Sequence, residues 1–222
     1  MLAASADSRA NRPRLQTALV LFGFDGFGDS DPVSVDIVAA FDRDKLEGDE
    51  AWRLAASSFV SLFWRRSILE ETTRWLRDHG YHLVNIEAAG WSDEGDLHRD
   101  MAAALNFPSY YGRNLAALND CLSDVVAYSY GTREDAAGTV LVLEHYDAFA
   151  TRQPDVAQAV LDIFAVQART GALIGHRMLC LVQSDDTQIR FQPVGSTPVL
   201  WNPAEWLDAK RAPGGTGAER SI

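Results

Sequence analysis

Two apolar runs joined by one helical segment constrain the fold of this chain more than any other feature. The runs TVLVLE at 139–144 and MLCLV at 178–182 are almost continuously apolar, which is typical of strands covered on both faces. Between them lie Pro154 near a first turn, apolar residues at helical spacing, and Gly171 as a stop. Because strands joined through a helix pair in parallel, this region predicts a parallel sheet with packed helices.

The preceding segment extends the same pattern. A strand is predicted at 81–86, a helix at 96–105 that Pro108 ends, and a second helix from about 115 to 124 that Asn114 can cap. The resulting order is strand, helix, helix, strand, helix, strand. This order favours an α/β fold with a small parallel sheet and right-handed crossovers.

The first third of the chain predicts an extension of strands and a helix. Segments 17–24 and 33–41 look like strands joined by a turn rich in glycine and aspartate, and they could form a hairpin. A helix is expected from about 68 to 78, because Ser67 and Glu70 have the spacing of a capping box and a glycine follows at the end.

These patterns divide the chain into five segments. We expect flexible tails at 1–14 and 209–222, an N-terminal extension with a hairpin and a helix at 15–80, an α/β domain at 81–184, and a short C-terminal extension at 185–208.

The net charge limits the kind of partner. The chain carries 31 acidic and 20 basic residues, a formal net charge of -11, so its average field repels phosphate and anionic lipid. Direct binding to nucleic acid or to a membrane is therefore not expected, whereas a basic protein partner is favoured. Residues 81–130 hold the densest negative charge.

Other features argue for a cytoplasmic protein without a cofactor. Cys121 and Cys180 belong to no CxxC or Cys/His ligand pattern and are expected to be buried, reduced thiols. The N-terminal residues contain no apolar stretch typical of a signal peptide. No run approaches the roughly 20 residues of a membrane span.

The stretch at 96–125, DLHRDMAAALNFPSYYGRNLAALNDCLSDV, carries the most specific pattern. Its DLH, YYGxNL and DCL motifs stand in the same register as those of the barstar family, whose members are intracellular ribonuclease inhibitors. The chain resembles this family over about residues 81–184. The resemblance implies a barstar-like α/β fold and a non-catalytic protein that binds a basic ribonuclease.

The resemblance also implies residue roles. In the barstar family, the aspartate matching Asp120 enters the ribonuclease active site, where its carboxylate takes the place of a substrate phosphate. Carried over, Tyr110 packs against the enzyme, and Gly112 and Asn114 shape the loop. Further partner-binding candidates lie on the predicted helix that carries this aspartate: Ala116, Asn119, Ser123 and Asp124.

Helical geometry agrees with that role for Asp120. At 3.6 residues per turn, three leucines of this helix fall within roughly 60° of arc, and Asp120 projects about 180° from the middle of that arc. We therefore expect its carboxylate to face away from the core. Tyr110 is expected to be exposed, and Tyr111 and Asn114 to be structural.

The chain departs from barstar itself at three contact positions. Close relatives of barstar carry an acid one turn before the anchor, a tryptophan immediately before it, and an acid on the later helix. This chain has Ala116, Asn119 and Val166 at those positions. The expected partner is therefore a different ribonuclease or a toxin nuclease domain, with some affinity supplied by the extra segments.

Three readings of function remain at this point. The first is an immunity protein of a toxin–antitoxin type, monomeric and binding its nuclease one to one. The second is a non-inhibitory interaction or regulatory module on the same fold, with residues 15–75 docking another protein. The third is a hydrolase. However, neither His79, His82 and His98 with Asp96 as metal ligands, nor Cys121 with His98 and Asp96 as a nucleophile set, forms a convincing site.

Overall fold

The structure is a computed structural model that describes residues 41, 48–207, 210 and 211. The predicted strand at 17–24 and the predicted tail at 1–14 lie outside these residues. The predicted strand at 33–41 is described only at its last residue, and the predicted tail at 209–222 only at residues 210 and 211.

The described chain is an α/β fold, as predicted. Its helices are α1 (Glu50–Ser57), α2 (Arg66–Asp78), α3 (Glu94–Ala104), α4 (Leu115–Val126), α5 (Tyr146–Arg152) and α6 (Pro154–Leu173). Its strands are β1 (Val60–Phe63), β2 (His82–Glu87), β3 (Thr139–Glu144), β4 (Met178–Gln183) and β5 (Leu200–Trp201). The five strands form one parallel sheet in the order β2-β3-β4-β1-β5.

The strands β2, β3 and β4 follow one another along the chain as predicted from the sequence and lie side by side in the sheet. Leu141 of β3 stands between Val84 of β2 and Cys180 of β4 in register. The predicted strands and helices of this region are confirmed with shifts of one or two residues at their ends. The short helix α5 was not predicted, because its seven residues are too few for a clear period.

The flanking segments add two strands to the same sheet. Leu62 of β1 pairs with Val182 of β4 on one side and with Trp201 of β5 on the other. Neither β1, β5 nor the helix α1 was predicted. The four residues of β1 are all buried, and such a short apolar run does not distinguish a strand from a helical segment.

The predicted capping box at the start of α2 is wrong. The N-cap is Arg65, whose side chain makes no cap hydrogen bond. Instead, the buried carboxylate of Glu205 accepts from the backbone N–H of Trp64 at 3.0 Å and of Arg65 at 2.9 Å. A residue about 140 positions away thus fixes the chain just before the first turn of α2, by contacts that the local spacing of Ser67 and Glu70 did not indicate.

The predicted end of α2 is confirmed. Gly80 has a φ of +82°, the left-handed conformation that glycine adopts without a steric penalty. The following N–H, that of Tyr81, donates to the carbonyl of Leu76 at 3.0 Å. This pattern closes the helix and turns the chain into β2.

The sheet has a core on each face. On one face, residues of β2, β3 and β4 pack with α3, α4, α5 and α6: Val84, Ile86, Leu141, Leu143, Cys180 and Val182. On the other face, alternate residues of β3 and β4 pack with α1 and α2: Val140, Val142, Leu179 and Leu181. The prediction that the run at 139–144 is covered on both faces is therefore confirmed, and α4 lies on the opposite side of the sheet from α2.

The longest helix, α6, has 20 residues and buries one stripe against the sheet, including Val160, Phe164, Ala168 and Gly171. Within the described ranges, no helix combines the length and the apolar character that a membrane crossing requires.

Candidate functional site

The loop before α4 is tied to the first turn of that helix. The Asn114 side chain accepts from the N–H of Ala117 at 2.9 Å and donates to the carbonyl of Gly112 at 3.2 Å. A Cβ at position 112 would stand 3.3 Å from the Asn114 amide nitrogen, so this turn has little room for a larger residue. The predicted cap is confirmed, and it fixes the loop relative to the helix.

The two tyrosines of the loop differ as predicted. Tyr110 is 79% exposed, whereas Tyr111 is 9% exposed and packs edge-on against Phe107. Burial raises the pKa of the Tyr111 hydroxyl above its ordinary value. Tyr111 therefore supports the loop from inside, and Tyr110 offers an aromatic surface to solvent.

His98 is buried and links the loop tyrosine to α3. Its Nδ1 accepts from the hydroxyl of Tyr111, and its Nε2 donates to the Glu94 carboxylate at 2.9 Å. Asp96 instead accepts from the backbone N–H of Ser92 at 2.9 Å. The set of Cys121, His98 and Asp96 that could have formed a nucleophilic site is thus not assembled.

Metal-ligand and thiol side chains are distributed as follows. Among the residues that the structure describes, no group of three or more His, Cys, Asp or Glu side chains is placed to hold a metal ion. Cys121 and Cys180 are both buried and unlinked, as predicted. Burial raises the pKa of the Cys180 thiol, which keeps it protonated.

Asp120 lies on the outer face of α4. Leu118 and Leu122 of the same helix are buried in the core, while Asp120 is exposed on the opposite side together with Ala116 and Ser123. Its side chain accepts a long contact of 3.5 Å from the side chain of Asn119. Within the described part of the chain, Asp120 forms no salt bridge, and its carboxylate is exposed to solvent.

The neighbouring residues hold α4 in place. The Asn119 side chain accepts from the Gln167 amide of α6 at 2.9 Å, and Gln167 is buried. On the other side of the helix, the Asp124 carboxylate accepts from the hydroxyl of Tyr130 at 2.9 Å. Burial, with the nearby Cys121 and Asp124, raises the pKa of Tyr130. Asn119 and Asp124 are therefore partly engaged within the protein.

Sequence reasoning missed Gln167 and Tyr130 as supports of the site. Gln167 stands 48 residues from the side chain that it contacts, and no local pattern links the two positions. A polar residue on the buried stripe of α6 was the only available signal, since such residues need a partner.

The geometry defines a class of protein: a small α/β domain that presents an exposed carboxylate and an exposed tyrosine on one braced helix and its loop. Residues 81–183 match the family model described as Barstar (barnase inhibitor). This part of the chain therefore matches the barstar family, with extensions on both sides, and the limits of the match agree with the predicted 81–184. A comparison of the chain with curated proteins gave no match.

Proposed function

We propose that this chain inhibits a ribonuclease by placing the carboxylate of Asp120 in the active site, where a substrate phosphate would otherwise bind. The proposal is supported by the barstar-family domain, since members of that family bind ribonucleases. The observation that carries it is the position of Asp120, exposed on a helix face without a cationic partner among the described residues.

The hydrogen bonds that fix α4 should increase the affinity that the Asp120 carboxylate contributes. The Asn114 cap fixes the start of α4, and the Gln167 contact fixes Asn119 next to the anchor. A preorganised acid loses little conformational freedom when it enters a pocket, so more of its interaction with cations appears as affinity. Tyr110 adds exposed apolar area beside it.

The charge of the chain favours a basic partner. An enzyme that binds RNA phosphates has cations in its active site, and the net charge of -11 attracts such a protein at long range. In this proposal the chain is an immunity protein that acts in the cytoplasm, binds its nuclease one to one, does not contact nucleic acid and performs no catalysis.

The test is inhibition of defined ribonucleases by the full chain. Each secreted ribonuclease encoded in the same genome is purified and assayed, with barnase as a reference. We expect one-to-one inhibition of one of these enzymes, with association slowing as salt rises. Asp120→Asn should weaken that complex by about 2 to 5 kcal/mol, because a buried cation in the partner loses its anion.

Asp78→Asn is the matched control. Asp78 is an exposed acid of α2, on the other side of the sheet, so its loss changes the net charge equally without altering the α4 face. The proposal fails if no ribonuclease is inhibited. It also fails if Asp120→Asn binds as tightly as Asp78→Asn, an outcome that would instead favour an interaction module using another surface.

A further inference from the structure

Two large aliphatic side chains are exposed side by side where α6 ends. Leu173 is 83% exposed and Ile174 is 62% exposed. Single apolar residues on a surface are common, but adjacent large ones that continue a polar recognition face are typical of protein interfaces.

Hydrogen bonds place this pair next to the C-terminal end of α4. Near the start of α4, Asn119 is bonded to Gln167 of α6; at its end, the carbonyl of Val126 accepts from the ring of His176 at 2.9 Å. The two helices therefore run side by side in the same direction. Leu173 therefore lies near the C-terminal end of α4, and Tyr110 precedes its N-terminal end. A helix of 12 residues separates these two ends by about 18 Å.

The pair also continues the outer surface of α6. Val166, Thr170 and Leu173 have the spacing i, i+4 and i+7, which places them on one stripe. This stripe is opposite to the buried one that contains Phe164 and Ala168. It borders the outer face of α4, so Asp120 lies between Tyr110 and the aliphatic pair.

The surface between these apolar ends carries little charge. Ala116, Ser123 and Thr170 are exposed and uncharged. Asp124 is half-buried against Tyr130, and Arg113 in the loop offsets one acid. Asp120 is an exposed acid in this sparsely charged face, and Arg169, one turn before Leu173, is an exposed base at its edge.

We infer that the binding face of this chain extends along α6 to Leu173 and Ile174, and that it fits a ribonuclease whose cationic cleft is bordered by an apolar surface. The inference rests on the proposed function. A cleft lined with many cations would leave most of them unpaired, because this face offers few exposed carboxylates besides that of Asp120. A cleft with one phosphate-binding centre and an apolar border matches both the anion and the two aliphatic side chains.

The test uses the full chain and the ribonuclease inhibited in the experiment above. The double variant Leu173→Ser/Ile174→Ser should weaken binding roughly 10- to 100-fold, mainly through faster dissociation, because two apolar side chains no longer lose water on binding. The dependence of association on salt should not change, since no charge is altered. The melting temperature should also hold, because both side chains are exposed in the free protein.

Leu207→Ser is the control. Leu207 is 61% exposed, but it lies in the C-terminal extension, two residues after Glu205, which contacts the chain just before α2. Hydrogen exchange on the complex gives a second measurement, with protection expected at residues 166–175. Wild-type affinity of the double variant, or protection confined to α4 and its loop, would overturn the inference while leaving the proposed function intact. If no ribonuclease binds at all, both are overturned.

Discussion

The domain that matches the barstar family and the two extensions form one sheet but are held together by different interactions. In the domain, six-residue strands pair in sequence order and bury continuous apolar runs. In the extensions, the short strands β1 and β5 depend on partners far away in the chain. They are joined by buried polar groups, among them Glu205 and Asn202. Local pattern thus specifies the domain, and long-range hydrogen bonds specify the extensions.

The two regions also differ in where they lie relative to Asp120. The outer face of α4 belongs entirely to the domain, whereas α1 and α2 of the N-terminal extension pack on the opposite face of the sheet. The described part of the extension therefore completes the sheet next to β4 and leaves Asp120 uncovered. Mutations on the outer face of α4 should therefore change binding to a partner, and mutations in the extensions should change the stability of the sheet.

The largest effect is expected from restoring the contacts in which this chain departs from barstar. Ala116→Asp together with Val166→Glu places acids where close relatives of barstar carry them. We expect inhibition of barnase to strengthen by about 4 kcal/mol, near a thousandfold, since close charge pairs in such an interface contribute about 1.5 to 7 kcal/mol each. The inhibition constant for barnase is the measurement.

The control adds the same two charges to the extension, as Ala56→Asp with Ser67→Glu, both exposed positions. An equal gain from the control would mean that overall charge, and not the α4–α6 face, determines barnase binding. That result would contradict the assignment of recognition to the domain and not to the extension.

The next effect concerns the extensions. Glu205→Ala should lower the free energy of unfolding by about 3 kcal/mol, because it removes a buried carboxylate that accepts from the part-buried N–H groups of Trp64 and Arg65. Urea denaturation measures the change. Glu134→Ala, an exposed acid of the domain, should change stability by less than about 0.5 kcal/mol.

If Glu205→Ala unfolds at the same urea concentration as the wild-type chain, the extensions do not depend on this long-range cap. If it also abolishes inhibition while the domain stays folded, the extensions take part in recognition, and the division of roles between the two regions is wrong.

The support of α4 should give a smaller change. Gln167→Ala removes the hydrogen bond to Asn119 and should lower stability by about 1.5 kcal/mol. Because Asn119 precedes the anchor, inhibition should weaken as well, by less than for Asp120→Asn. Gln158→Ala is the control on the same helix, since its side chain contacts the backbone of Gln192 and not α4. Equal inhibition by both variants would show that the Gln167 brace does not affect the site.

The sequence predicted the domain and the orientation of its candidate anchor well. The apolar runs identified β3 and β4, Asn114 was recognised as a cap, and helical spacing placed Asp120 outward. These features depend on residues within one or two helical turns of each other. The assignment of Asp120 and its neighbours to a partner remains a prediction.

Features that depend on distant residues were missed. Ser67 and Glu70 had the spacing of a capping box, but the structure instead places the Glu205 carboxylate against the N–H groups of the two residues before the helix. The Gln167 contact with Asn119 likewise joins separate helices. Local propensity cannot reveal such pairings, because each partner is an ordinary polar residue in its own segment.

The smallest effect is a dependence of domain stability on pH. His176 is fully buried, donating from Nδ1 to the carbonyl of Val126 and accepting at Nε2 from the Thr139 hydroxyl. Burial lowers its pKa below the ordinary 6.5, although the Val126 contact opposes this. The unfolded chain therefore binds a proton more readily than the folded one. Stability is full above pH 6.5 and declines as the pH falls below it, towards the folded pKa.

Urea denaturation between about pH 7.5 and 5.5 should show this decline, and His176→Gln should flatten it, because glutamine keeps a donor and an acceptor without titrating. Part of the slope should persist, since burial also lowers the pKa of His82, aided by Arg133. His79→Gln is the control, because His79 is an exposed residue at the end of α2. If His79→Gln flattened the slope and His176→Gln did not, the pH sensitivity would belong to the extension and not to the buried core of the domain.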